Sequence, residues 1–349
     1  MPLLKVEKLS TSYPVRGPIF SPDRHLRAVD NVSFELEAGE TLGLVGESGC
    51  GKSTLGRTII RLEKHSAGKV FLNSQDITSL RGRELRKARR KFQMIFQDPY
   101  GSLNPRMTVC GALDEVLSIH TPLDRDGRRK RIAELLEMVG LSPEHMLRYP
   151  HQFSGGQRQR IGIARALAVE PELIVADEPV SALDVSVQAQ IINLLIEIQK
   201  KTGVAFLFIA HDLAVVEHIS RRIMVMYLGR IVESGRSSDV TGGSRHPYTK
   251  ALLSAVPVVD PAAKRARIIL PGDVPSPLNP PSGCPFHPRC PMARGKCRNE
   301  VPTLEPVKGD LLHLSACFFH DEAANMGCSN SPQEKSFETG SSMLENGRI

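Results

Sequence analysis

The chain has 349 residues, 41% of them hydrophobic and 24% charged, which is the composition of an ordinary globular protein. No apolar run approaches the roughly 20 residues that cross a bilayer. The first residues, MPLLKVEKLS, lack the basic flank and the long apolar stretch of a secretion signal. We therefore expect a cytosolic chain that reaches a membrane only through partners.

The formal net charge is +7, a balance that suits nucleic acid or an anionic membrane surface. Much of the local excess lies in one basic run between Arg81 and Lys91. Runs of this kind usually form a solvated helix face, and we interpret this one in the same way.

Up to about Tyr227 the chain alternates short apolar stretches with helical ones, which predicts an α/β fold with a largely parallel sheet. The predicted strands are Ser33–Leu36, Thr41–Val45, Phe92–Phe96, Leu173–Ala176, Ala205–Ile209 and Ile223–Met226. From about residue 107 to 168 the spacing predicts helices, most clearly at Arg128–Val139 and Gln157–Leu167. Because these helices lie between two strand-rich halves, we predict a helical insertion.

The composition changes toward the end of the chain. Prolines are dense from Val256 to Pro281, which predicts an irregular linker. The residues after His320 are polar and small, which predicts a disordered tail. We therefore divide the chain into a main domain over residues 1–255, an extension over residues 256–320 and a tail over residues 321–349.

A phosphate-binding loop follows the strand Thr41–Val45. Its pattern of glycine, four residues, glycine, lysine and serine is met by Gly46, Glu47, Ser48, Gly49, Cys50, Gly51, Lys52 and Ser53, and a helix opens at Thr54. The glycines let backbone N–H groups converge on phosphate oxygens, and the helix places its positive end there. Lys52 is suited to the β- and γ-phosphates and Ser53 to Mg²⁺, so the loop predicts a nucleoside triphosphate site.

Two adjacent carboxylates end an apolar strand further along. The run Leu173–Ala176 leads into Asp177, which is suited to bind the metal, and Glu178, which is suited to polarise the attacking water. Either acid alone is more often a surface or capping residue. Their position behind a buried strand favours a role in hydrolysis.

A second anion cradle opens a helix at Ser154, Gly155, Gly156 and Gln157. A serine and two glycines at a helix start present backbone N–H groups and the positive helix end to an anion. The chain thus has one P-loop but two phosphate cradles. Because P-loop chemistry needs no second cradle in one chain, we expect this one to close on the nucleotide of another subunit.

With these elements the chain resembles the ABC ATPase family over about residues 3–260. The resemblance implies a P-loop NTPase with a RecA-like parallel sheet core, a helical subdomain at about residues 107–168, an N-terminal antiparallel β portion and a small cysteine-containing C-terminal region. It also implies that ATP and Mg²⁺ are bound and that ATP is hydrolysed.

The same resemblance implies roles for four more residues. Gln97 matches the glutamine of the Q-loop, which acts in catalysis and at the metal, and Asp184 matches the aspartate of the D-loop. His211 matches the switch histidine that contacts the γ-phosphate, with a hydrogen-bonded strand-end histidine as the alternative. Tyr13 matches the aromatic residue that stacks on adenine, with packing or loop anchoring as the alternative.

Longer strings resemble the oligopeptide and dipeptide importer branch. They run from Phe96 to Arg106, from His246 to Leu253 and from Pro271 to Pro277, and the start at Tyr13 favours the second of the two ATPases of such importers. The resemblance implies a second, different ATPase subunit, two transmembrane permeases, an extracytoplasmic binding protein and a place on the cytoplasmic face of the inner membrane. Other members move nickel complexes, glutathione or opines, so the cargo stays open.

A soluble ABC ATPase of translation or DNA repair is the rival interpretation, because the basic run between Arg81 and Lys91 would suit a nucleic-acid partner. Translation factors of this kind typically carry two cassettes, and repair relatives insert long coiled coils. This chain has a single P-loop, a single serine–glycine cradle and no sustained heptads. We therefore expect no nucleic-acid partner.

Four of the seven cysteines crowd together: Cys284, Cys290, Cys297 and Cys317. Four thiolates suit a [4Fe–4S] cluster or a tetrahedral zinc ion, and a metal would hold this proline-rich segment in shape. The spacing matches neither a zinc ribbon nor a bacterial ferredoxin, and free thiols are the alternative. The resemblance to the peptide-importer branch favours iron–sulfur, because some members carry such a cluster in this region.

Overall fold

The computed structural model describes residues 1–15, 24–256 and 267–326. The strands are β1 (Leu4–Val15), β2 (Arg24–Leu36), β3 (Thr41–Val45), β4 (Ala67–Leu72), β5 (Gln75–Asp76), β6 (Phe92–Ile95), β7 (Leu173–Asp177), β8 (Ala205–Ala210), β9 (Arg222–Tyr227), β10 (Arg230–Arg236), β11 (Glu305–Val307) and β12 (Asp310–Ser315).

The helices are α1 (Lys52–Ile59), α2 (Gly82–Ala88), α3 (Pro99–Ser102), α4 (Val109–His120), α5 (Arg125–Met138), α6 (Gly155–Leu167), α7 (Val185–Thr202), α8 (Leu213–Ile219), α9 (Ser237–Gly242), α10 (Pro247–Ala255), α11 (Gly295–Asn299) and α12 (His320–Ala324). Short 3₁₀ helices lie at Pro143–Leu147, Pro150–Gln152 and His287–Arg289. Within the described ranges no helix has both the length and the apolar character needed to cross a membrane.

The main sheet has eight strands in the order β11-β12-β10-β9-β3-β8-β7-β6. The five strands from β9 to β6 run parallel, and every residue of β8 is buried. Alternate side chains of β8 enter two cores, with Phe206 and Phe208 on one face and Leu207 and Ile209 on the other. Because both faces are covered, these strands read as continuous apolar runs, and all five agree with the predicted bounds to within one residue at each end.

A smaller antiparallel sheet, β2-β1-β4-β5, packs on the second of these cores. Strands β1 and β2 pair from Leu4 opposite Leu36 to Val15 opposite Arg24. The predicted strand Ser33–Leu36 is therefore only the end of a longer one. The earlier residues of β2 are largely exposed or half-buried, so they lack the apolar run that identifies a central strand.

Helices α4, α5 and α6 lie between β6 and β7, in the region where helices were predicted. They share a core in which Leu117, Ile132 and Ile161 are fully buried. Helix α5 begins three residues before the predicted Arg128, because the carboxylate of Asp124 caps it by accepting a hydrogen bond from the Gly127 N–H at 2.8 Å.

The C-terminal extension adds two strands to the main sheet, where β12 pairs with β10 and β11 with β12. The sequence did not predict them. Their attachment includes a buried pair, in which His313 Nε2 lies 2.7 Å from the carboxylate of Glu233. The same carboxylate accepts hydrogen bonds from the backbone N–H groups of Arg245 and His246. Local patterning does not show a partnership between residues 80 positions apart.

The tail predicted from residue 321 starts too early. Helix α12 covers His320–Ala324, and Ala323 is fully buried. The ammonium of Lys250 donates to the carbonyl oxygens of Ala324 and Met326, so these polar residues are held by the body of the protein. The remainder of the predicted tail, residues 327–349, and part of the predicted linker, residues 257–266, lie outside the described residues.

Candidate nucleotide-binding site

The P-loop connects β3 to α1 at the carboxyl edge of the parallel strands, and glycine is required at one point in it. Gly51 precedes α1 with a φ of 106°, in the left-handed region. A Cβ atom at Gly51 would lie 2.0 Å from the carbonyl oxygen of Ala28. Both the backbone angle and the close approach therefore exclude a side chain at this position.

Lys52 lies inside the loop and is only 4% exposed. Its Nζ donates to the carbonyl oxygens of Gly46 at 2.8 Å and of Glu47 at 2.9 Å. The loop thus holds a buried ammonium group with neutral acceptors. Phosphate oxygens would offer the stronger, charge-assisted partners, so the loop is suited to bind a polyphosphate.

A cavity of about 340 Å³ lies in front of the P-loop, a volume within the range of small-molecule sites. It brings together ten of the predicted residues from four parts of the chain: Tyr13, Ser48, Gly49, Cys50, Gly51, Lys52, Ser53, Thr54, Gln97 and Glu178. This convergence was expected from motifs that are far apart in sequence.

Six lining residues were missed: Leu26, Arg27, Ala28, Leu228, Gly229 and Pro277. The first three belong to β2, and Leu228 and Gly229 form the turn after β9. Pro277 comes from the proline-rich extension, which thus reaches the nucleotide cavity. Pro277 ends the string Pro271–Pro277 that resembles the importer branch, but neither it nor the other five residues carries a motif for nucleotide binding, because their place at the cavity depends on the fold.

Asp177 and Ser53 form the predicted metal-binding pair. The Ser53 hydroxyl donates to Asp177 Oδ1 at 2.6 Å, and Asp177 is fully buried. Its second oxygen accepts no hydrogen bond from the described residues and lies 3.5 Å from the guanidinium of Arg57. Burial raises the pKa of Asp177, opposed by the Ser53 hydrogen bond and by Arg57. Two adjacent hard oxygen ligands, a hydroxyl and a carboxylate, fit Mg²⁺.

Glu178 lines the cavity and has two side-chain partners, of which Gln97 also lines it and His211 does not. Gln97 Nε2 donates to Glu178 Oε2 at 2.9 Å, and His211 Nδ1 lies 3.5 Å from the same oxygen. The backbone φ of Glu178 is 46°, which costs a non-glycine residue about 1–2 kcal/mol. A backbone hydrogen bond from Glu178 N to the Ile209 carbonyl, 2.9 Å long, holds this conformation. The predicted glutamine and histidine, Gln97 and His211, thus both contact the carboxylate of the predicted base, Glu178.

The predicted cradle opens α6 and does not line this cavity. Ser154 Oγ accepts from the Gln157 N–H at 3.3 Å, and Gln157 Oε1 accepts from the Ser154 N–H at 3.0 Å, which forms a capping box. Asp184 is also absent from the cavity lining, but the neighbouring Leu183 lies 3.4 Å from where a Gly155 Cβ would sit. The cradle and the D-loop therefore adjoin each other at a separate place.

Gly46 and Glu47, both predicted to bind nucleotide, do not line the cavity either. Gly46 is pressed against the backbone of β9, where an added Cβ would lie 2.3 Å from the Met226 carbonyl oxygen. The Glu47 side chain pairs with the guanidinium of Arg289. The contribution of Gly46 and Glu47 to the site is therefore made through the loop backbone.

The four clustered cysteines line one small cavity of about 20 Å³. Burial, with a smaller contribution from the neighbouring cysteines, raises the pKa of Cys290 to about 11 and that of Cys317 to about 12. Cys284 and Cys297 are buried beside them. Across the part of the chain that the structure describes, no group of three or more His, Cys, Asp or Glu side chains is arranged to hold a metal ion.

Comparison with known proteins gives the family of the chain. Residues 29–181 match the ABC transporter family, and residues 232–297 match the oligopeptide/dipeptide transporter C-terminal region. A probable peptide ABC transporter ATP-binding protein of Sinorhizobium fredii is 56% identical over 87% of both chains. The dipeptide transport ATP-binding protein DppF of Escherichia coli is 49% identical over 93% of this chain and 96% of that protein.

Among solved structures, the ATP-binding cassette MJ0796 in a dimeric post-hydrolysis state with ADP and Pi has a TM-score of 0.60 at 30% identity, covering 67% of this chain and 98% of that one. A P-loop beside the buried Asp177 and the hydrogen-bonded Glu178 is typical of the class of P-loop ATPases. Within that class, the chain belongs to the ATP-binding subunits of ABC transporters.

Proposed function

We propose that the chain hydrolyses ATP to energise a membrane importer for dipeptides or oligopeptides. One observation carries this proposal. Pro277, which lies in the region matched to the oligopeptide/dipeptide transporter C-terminal region, lines the nucleotide cavity. The two relatives described above are named for peptide and dipeptide transport, which supports the same cargo class. Importers of nickel complexes, glutathione or opines are the alternative.

In the proposed reaction the P-loop backbone and Lys52 bind the ATP phosphates, and Tyr13, which lines the same cavity, stacks on the adenine ring. Ser53, Asp177 and Gln97 would hold Mg²⁺, which neutralises phosphate charge when bound. Glu178 polarises the attacking water as general base. Gln97 and His211 position the Glu178 carboxylate, as the Gln97 hydrogen bond to it and the 3.5 Å approach of His211 Nδ1 support.

The second cradle completes a composite site in this proposal. Ser154, Gly155, Gly156 and Gln157, with Asp184 beside them, would contact the nucleotide bound by a second, different ATPase subunit. ATP then favours the closed pair and hydrolysis releases it, so the cycle is a population shift. The dimeric state of the similar cassette supports this arrangement.

We further propose two transmembrane permeases as partners, fed by an extracytoplasmic binding protein, with this chain bound peripherally at the cytoplasmic face of the inner membrane. We keep the division into residues 1–255, with a helical subdomain at about 107–168, and residues 256–320. The pairing of β12 with β10 makes the extension a continuation of the main sheet rather than a separate body.

The cargo is tested by transport. A strain that lacks this gene is expected to lose most uptake of labelled dipeptides or oligopeptides, because the permeases cannot cycle without ATP hydrolysis. Restoring the native gene recovers uptake, whereas Lys52→Ala does not. Unchanged peptide uptake together with lost nickel, opine or glutathione uptake would favour the alternative importer.

We also propose that Cys284, Cys290, Cys297 and Cys317 hold a metal in a structural role, as a [4Fe–4S] cluster or, alternatively, zinc. Support comes from the single small cavity that all four thiol side chains line. The cavity of about 20 Å³ holds little more than one water molecule. A single ion fits it with smaller movements than a four-iron cluster requires.

Anaerobic purification tests the metal. The native protein is expected to contain iron and to be brown, or to contain zinc and be colourless. Cys290→Ser is expected to lose the metal, because one of four ligands is removed. Cys110→Ser, which changes a half-buried cysteine outside the cluster, is the matched control and keeps it. Native protein with neither iron nor zinc by elemental analysis would support free thiols.

A further inference from the structure

Arg289 connects the cysteine segment to the P-loop. It ends the 3₁₀ helix His287–Arg289, directly before Cys290, and is only 8% exposed. Its Nη1 donates to Glu47 Oε2 at 2.8 Å, and its Nη2 donates to Glu47 Oε1 at 3.3 Å. The contact joins residues 242 positions apart, and one of them belongs to the P-loop.

The Arg289–Glu47 ion pair has the geometry of a strong contact. Arg289 is buried, and the Glu47 carboxylate compensates its charge through both hydrogen bonds. Two parallel hydrogen bonds between a guanidinium and a carboxylate fix orientation as well as distance. Removing one partner of such a pair leaves a buried charge uncompensated, which makes the contact costly to break.

The backbone of Glu47 is held from the same side. Its N–H donates to the hydroxyl of Tyr248 at 2.8 Å, and Tyr248 is fully buried. The Tyr248 ring lies 5.4 Å from the ring of Phe286, which stands between Cys284 and Arg289 in the chain. Both the side chain and the backbone of Glu47 are therefore fixed by residues C-terminal to the parallel strands.

The same residue also supports the nucleotide-binding lysine. The carbonyl oxygen of Glu47 accepts from Lys52 Nζ at 2.9 Å, so the residue that Arg289 clamps sets the position of that ammonium. We propose that Arg289 is a positioning residue that sets the P-loop through Glu47 and couples the cysteine segment to ATP binding. The inference rests on the proposed nucleotide site at Lys52.

The test measures ATP affinity in the full-length protein with its partner subunits. Arg289→Met is expected to weaken Mg-ATP binding by about tenfold, since a charged hydrogen bond is lost and the P-loop must be ordered by ATP itself. Arg289→Lys, which keeps the charge but not the paired hydrogen bonds, is expected to fall between native and Arg289→Met. Arg294→Met is the matched control, because Arg294 pairs with Glu322 at the surface of the same segment and should leave the affinity unchanged.

A double-mutant cycle separates positioning from general stability. In a Glu47→Gln background, Arg289→Met is expected to cause little further loss of affinity, because the contact is already broken. Cys290→Ser should weaken ATP binding in the native background but not in Arg289→Met, if the coupling runs through Arg289. Additive losses would overturn the proposal. So would an Arg289→Met variant whose thermal midpoint falls without nucleotide while the ATP affinity of its folded fraction stays native.

The Lys52→Ala variant distinguishes failure of the clamp proposal from failure of the proposed nucleotide site. If Lys52→Ala binds ATP as tightly as the native protein, the proposed nucleotide site is wrong and the clamp proposal falls with it. If Lys52→Ala loses binding while Arg289→Met keeps it, only the clamp proposal is overturned.

Discussion

The Glu178→Gln variant is expected to bind ATP with near-native affinity and to hydrolyse it about 10²- to 10⁴-fold more slowly, the usual contribution of a positioned general base. The substitution keeps the size of the side chain and leaves an amide oxygen that can still accept from Gln97, which lies 2.9 Å away. It removes the charge that takes the proton from water. ATP-bound, closed transporter should therefore accumulate, as measured by single-turnover hydrolysis and nucleotide retention.

Glu172→Gln provides the matched control. Glu172 stands immediately before the same strand, β7, and pairs with Lys91 at 3.3 Å, far along the strand from the cavity. The Glu172→Gln variant loses one negative charge by the same substitution and is expected to keep native turnover. The base assignment would be wrong if the Glu178→Gln transporter retained most of its hydrolysis rate.

The Gly155→Asp variant is expected to abolish hydrolysis in the assembled transporter while leaving ATP binding at Lys52 intact. A carboxylate about 4 Å from a phosphate charge costs about 4 kcal/mol at an effective dielectric constant of 20, or about a thousandfold in affinity for the closed state. The position admits a Cβ atom, because the nearest atom to a Gly155 Cβ is Leu183 Cδ2 at 3.4 Å, the flexible end of a side chain.

Gly155→Ala separates charge from size, since it adds only the methyl group and should retain most activity. Gly156 is the poorer probe, because a Cβ there would lie 2.5 Å from Val187 and disturb the local packing. ATPase activity measured over a dilution series adds an independent check. Full activity from dilute monomer would contradict a composite site, whatever Gly155→Asp does.

The class of fold and the motif residues of the nucleotide cavity could be predicted from local sequence. The P-loop is readable because phosphate binding demands glycines at fixed spacing between a strand and a helix, and Gly51 shows why no other residue fits. The parallel strands are readable because burial on both faces makes them continuous apolar runs, as in β8. The capping box at Ser154 and Gln157 likewise marks the start of α6.

Other features depend on contacts between distant parts of the chain. Pro277 lines the nucleotide cavity and Glu47 faces Arg289 because the extension folds back on the P-loop, and neither residue has a local pattern that shows it. Strand β12 is recognisable only once it pairs with β10 and β11, because its mostly exposed and half-buried residues lack the apolar run of the central strands.

The start of the tail was misplaced for a related reason. Polar composition predicted disorder from residue 321, but Lys250 binds two carbonyl oxygens of α12 and its following turn. Composition reports how much apolar surface a segment can bury by itself. The sequence alone determined the elements whose chemistry or burial is local, namely the P-loop, the central strands and the start of α6. Only the tertiary structure decided which residues meet across the chain, because a contact between distant segments leaves no periodic pattern in either of them.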